Sequence, residues 1–114
     1  MEVRVFRNIE QQRQGVLPYM KEDGSFITPP NTVFFFPYIH SNILSGVGLP
    51  QCIFAYALDI NFKAIHTPHA TSLGKMIMVR PGDVLQLPPQ TVHVVETSIA
   101  VSPLTDFAFL RKQV

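Results

Sequence analysis

Four histidines, His40, His66, His69 and His93, are the residues of this 114-residue chain best suited to chemistry, because histidine is the commonest side-chain metal ligand. His66 and His69 lie in the stretch "IHTPHATSLG". Pro68 disfavours helix at Thr67, so the pair does not share a helical face, yet in a loop the two rings can converge. With His93 and Glu96 they supply the ligand types of a non-haem iron, manganese or zinc site, and one divalent transition metal is the cofactor of that reading. The strand pattern works against it. A strand over 91–101 sends Thr91, His93, Val95 and Thr97 to one face and Glu96 to the other, so His93 and Glu96 share a site only across a bulge.

Other catalytic sets are less complete. Cys52 is the single cysteine, which excludes an intrachain disulfide and the all-thiolate zinc sites. It falls on the apolar face of the longest strand candidate, where burial raises a thiol's pKa and leaves it inert. Asp59 stands at a strand end with no carboxylate partner. "SGVGLP" lacks the third glycine and the helix signal of a phosphate loop, and the serines fit no nucleophile elbow. A non-enzymatic role without cofactor is therefore the leading expectation.

The elements that must position these residues are mostly strands. "EVRVFR" alternates as a strand; Asn8 then caps a short helix of two turns at most, with Gln11 completing a capping box and Gly15 as the stop. "NTVFFFPY" is strand-like. In "QCIFAYALDINFKAI" Cys52, Phe54, Tyr56, Leu58, Ile60 and Phe62 share one face at period two, while the opposite face grades from small and apolar to polar. "KMIMVR", "DVLQL" and "TVHVVETSIAV" complete the β set, with a turn at Arg80–Asp83 and a break at Pro88-Pro89. The tail "LTDFAFLRKQ" reads equally as helix or strand. The sum is a mainly-β chain: a single domain over 1–114, either a small β-barrel or a β-sandwich, with one short N-terminal helix.

Composition narrows the function classes. A net charge of +1 with scattered basic residues signals no nucleic-acid binding. No apolar run reaches membrane-spanning length and the N-terminus carries no signal-peptide pattern, so a soluble, cytoplasmic or otherwise intracellular protein is expected. Charged residues make up only 15% of the chain and apolar residues 46%; about 25% charged is usual. A small domain cannot bury all of that apolar surface, so other copies or a partner protein are expected to cover part of it. Phe34, Phe35, Phe36, Tyr38 and Ile43 are the candidate interface residues, with core packing the competing role for the three phenylalanines.

Two resemblances bear on the stretch "GDVLQLPPQTVH". It is similar to the second sequence motif of the cupins, with Gly82, Pro88 and His93 in place and Gln90 where a glycine belongs; the likeness implies His93 as a metal ligand. The first cupin motif is not matched, since His66 and His69 are spaced differently and lack a following glutamate. Over residues 3–97 the chain resembles the family called domain of unknown function 192. The matching parts are Gly15-Val16-Leu17, "NTVFFFP", "LDINF", "VRPGDVLQLPP" and Val94-Val95-Glu96. The segment before Leu58-Asp59 and the C-terminal tail depart from that family. This second likeness implies a small β-rich fold, no particular activity, and a structural corner at residues 82–93.

Overall fold

A computed structural model of the chain describes residues 2–70, 74–98 and 107–114. After β1 (Val3–Val5), the Asn8 side chain accepts the Gln11 N–H at 2.8 Å and the Gln11 side chain accepts the Asn8 N–H at 3.3 Å. That reciprocal cap starts α1 (Ile9–Gln14), and Gly15, at φ 60, ends it. Because the cap satisfies N–H groups that the first helical turn leaves orphaned, Asn8→Ala is expected to cost about 1 kcal/mol and Asn8→Gly a few tenths. Urea unfolding of the two variants checks this.

The helix and a 3-10 turn at Leu17–Tyr19 form the crossover that brings β2 (Val33–Phe36) parallel to β1. The chain then leaves that sheet for β3 (Ile43–Ser45), returns for β4 (Ile53–Leu58) and β5 (Ile77–Val79), leaves again for β6 (Val84–Gln86), and returns as β7 (His93–Thr97). The result among the described residues is a five-stranded sheet in the order β1-β2-β7-β4-β5 and a two-stranded ribbon of β3 and β6. All pairs except β1–β2 are antiparallel. The chain is thus mainly β, with two sheets in a sandwich-like arrangement and no closed barrel among the described residues.

Each move between sheets has a local cause. Pro81 followed by Gly82, at φ 86, makes the turn in which the Asp83 N–H donates to the Arg80 carbonyl at 3.0 Å. Gly46 packs against that turn, giving its N–H to Asp83 and accepting from Gly82, and a Cβ there would run into the Arg80 carbonyl. The ribbon is fixed to the sandwich at this point.

Both faces of the large sheet are covered, so its strands are apolar runs rather than alternating ones. Phe34, Phe36, Ile53, Ala55, Ala57, Ile77, Val79 and Val94 face the ribbon and meet Leu44, Leu49 and Leu87. Val33, Phe35, Tyr56, Leu58 and Val95 face the other way and pack with Phe62, Met76 and the C-terminal Phe107 and Leu110. The latter two belong to the tail, which from Ala108 to Gln113 is a 3-10 helix.

Three sequence expectations change here. The second face of β4 does not grade toward solvent, because Ile53, Ala55 and Ala57 are buried under the ribbon. The strand also stops at Leu58: the Asp59 carboxylate accepts the N–H groups of Asn61 and Lys63, turning the chain and leaving Ile60 exposed. Cys52 is exposed rather than core, since β4 starts one residue later and Cys52 lies beyond its paired register. The end of the strand expected over 91–101, and the start of the tail at Leu104, lie outside the described residues.

Candidate functional site

The three histidines of the metal reading are not brought together. His66 and His69 are exposed in the loop after β4, while His93 is fully buried on β7. Among the described residues no group of three or more His, Cys, Asp or Glu is placed to hold a metal ion. Glu96 faces away from His93, as strand alternation requires.

The environment of His93 is aromatic. Its ring stacks on Phe62 with centroids 4.6 Å apart, meets the edge of Tyr38 at 4.8 Å and lies 5.6 Å from Phe35. Nδ1 accepts the Tyr38 backbone N–H at 3.0 Å, which puts the proton of the neutral ring on Nε2. Nε2 is buried and meets no hydrogen-bond partner among the described residues. Burial pushes the pKa of His93 below the ordinary value, with Asp59 pulling weakly the other way. Tyr38, at φ 48, and Phe62, at φ 63, are the non-glycine residues with positive φ among those described. Such a conformation costs on the order of 1–3 kcal/mol for a bulky residue and persists only where its surroundings enforce it.

Tyr38 begins the connection that forms one wall of a groove of about 620 Å³, within the roughly 300–1,000 Å³ of ordinary ligand sites. Its floor is the core itself, at Phe36, Leu44, Leu49 and Val94. Its rim carries Ile9, Leu17, Ile43 and Val47, exposed at 49%, 42%, 51% and 64%. Arg13 and His40 add polar groups to the lining. One side chain joins the walls: Gln12 donates to the carbonyls of Phe6 and Pro37 at 2.9 and 2.8 Å and accepts the His40 N–H at 3.1 Å. Those bonds tie α1, which buries none of its own residues, to the β2–β3 connection. On the outer face of the ribbon Val84 lies opposite Ser45 and is 62% exposed.

The interface residues expected from sequence divide accordingly. Phe34, Phe35 and Phe36 are 1%, 0% and 5% exposed and belong to the two core layers, because β2 lies between β1 and β7 with both faces covered. Tyr38 and Ile43 are exposed, and Ile43 lines the groove. Ile9, Leu17 and Val47 escaped sequence reasoning because they come from separate segments that only the fold unites. Ile9 carried a weak signal as the one apolar residue of a polar helix.

No helix among the described residues is long and apolar enough to cross a membrane. Comparison with protein-family models, curated proteins and solved structures finds no match to this chain. Function is therefore read from the chain's own residues.

Proposed function

We propose that this is a non-enzymatic domain that works by association, with the groove and the outer face of the β3–β6 ribbon as its interface to a second copy. One observation carries the reading: Ile9, Leu17, Ile43 and Val47 rim a single groove, and Val84 is exposed on the neighbouring ribbon. A groove with four exposed apolar side chains on its rim marks an interaction site more often than singly scattered apolar residues do. The low charged content of 15% fits a chain that spends its working life partly covered.

The test is sedimentation equilibrium of the wild type beside an Ile43→Asp, Val47→Asp double variant. Both side chains are more than half exposed, so the variant should melt at the wild-type temperature while its association weakens by at least about tenfold, the equivalent of 1.4 kcal/mol. A wild-type monomer across a wide concentration range would defeat self-association and leave the groove to a different protein.

A further inference from the structure

We propose that His93 is a proton-operated latch on the groove wall, and that protonating it loosens association; the inference rests on the groove being the interface proposed above. Tyr38 and Phe62 are in left-handed backbone, and both pack on the same buried imidazole. The ring is what holds Tyr38, through its Nδ1 and its edge contact. A second proton on the imidazole must go to Nδ1, where it faces the Tyr38 N–H. Two donors then meet, the Tyr38 amide loses its acceptor, and a charge appears where there was none. The strained turn loses the contact that enforces it.

The path to the groove is short. Phe36, just before the turn, is groove floor, and Ile39, His40 and Ser41, just after it, are groove wall. The His40 N–H is held by Gln12 of α1 and the Ile39 N–H by the Val92 carbonyl, so a shift at Tyr38 strains both attachments. The latch and the wall are one stretch of backbone.

The charged surroundings define the direction of the response. Asp59, in the turn that delivers Phe62, is the charge His93 feels, and it favours the protonated ring. Arg111 lies 5.7 Å from the Phe62 centroid and donates to the Asn61 carbonyl, opposing a second positive charge nearby. Lys63 is exposed beside the same turn, and the Tyr38 phenol completes the titratable groups around the ring among the described residues. Glu96 is on the other face of β7. Burial outweighs Asp59, so the ring is neutral at pH 7 and the latch opens on the acid side of the ordinary histidine range.

NMR of the wild type decides the first half: as the His93 ring nitrogens titrate, the amides of Tyr38, His40 and Ile43 should shift with the same midpoint. Sedimentation decides the second half: association should weaken below the midpoint that the ring titration gives, relative to about pH 8, by up to about tenfold, the limit set by one lost hydrogen bond. His93→Asn keeps an acceptor at the δ position and does not titrate, so its association should be independent of pH, whereas His40→Ala should keep the wild-type dependence. Three results would overturn the latch: a ring that does not titrate in the folded protein, ring titration that leaves those amides unmoved, or a pH dependence that survives His93→Asn. If His93→Asn does not fold, the wild-type titration alone decides. Absence of association at every pH would defeat the self-association reading, with the amide shifts still judging the latch.

Discussion

Replacing Glu96 by glutamine is expected to stabilise the protein above neutral pH and to do nothing in acid. Glu96 lies on β7, the central strand of the large sheet, opposite Phe34 on one side and Ala55 on the other. Glu96 is half-buried, and that burial pushes its carboxyl up to about 7 from an ordinary 4.5, with no cation or hydrogen bond from the described residues to offset it. The folded state thus holds the Glu96 proton more tightly than the unfolded chain does. Stability is greatest below the ordinary carboxyl value, falls as pH rises from there to about 7, and is level above. The total loss is about 3 kcal/mol, a large share of the roughly 5–15 kcal/mol that holds a domain together.

Glutamine has the same shape and no proton to lose. Glu96→Gln should recover most of that loss, about 3 kcal/mol, at about pH 8 and should match the wild type at about pH 4, because an amide and a protonated carboxyl cost about the same to bury. Urea unfolding at the two pH values measures it. Equal stability at both would mean that the carboxylate finds solvent or a partner when it ionises. The His93 contribution runs the opposite way: its depressed pKa costs stability only as pH falls below the ordinary histidine value. The two titrations oppose each other over the range between the ordinary carboxyl and histidine values, and each variant isolates the other's slope by removing its own.

Local signals in the sequence became structure because their physics is local. Asn8, Gln11 and Gly15 form the cap and stop of α1 within one helical turn of each other, and Pro81-Gly82 makes its turn from backbone preference alone. The alternation that puts His93 and Glu96 on opposite faces of β7 is likewise a property of a single strand. What depends on the layers was not visible. Period two in "CIFAYALDI" indicates one buried face, and nothing in those residues says that the ribbon returns to bury Ala55 and Ala57 as well. The left-handed backbone of Tyr38 and Phe62 is invisible for the same reason, since neither is a residue type that signals it. The stretch "GDVLQLPPQTVH" combines both cases. It runs from the Gly82 turn through β6 and the Pro88-Pro89 corner into β7, as its glycine and prolines imply, and its histidine is an element of packing whose partners come from distant turns.

Phe35→Ala is expected to cost about 3–5 kcal/mol, the range for deleting a buried aromatic ring, and so to test whether the β2 phenylalanines act as core or as contact surface. Phe35 is fully buried and its ring lies 5.6 Å from His93 and 6.2 Å from Phe62. Removing it opens a cavity beneath the latch as well as in the core, and the rings around it cannot close in without giving up the contact that holds Tyr38. The loss should appear as a lower urea midpoint with an unchanged slope, because the same surface is exposed on unfolding. A Phe35→Ala protein of wild-type stability that no longer associates would reverse the assignment and return β2 to the interface. The Ile43→Asp, Val47→Asp variant and Phe35→Ala thus have different signatures: the first lowers association at constant stability, the second lowers stability and reaches association only through the His93–Tyr38 contact. Only a chain whose interface lies on the groove side, with β2 sealed inside, gives both results.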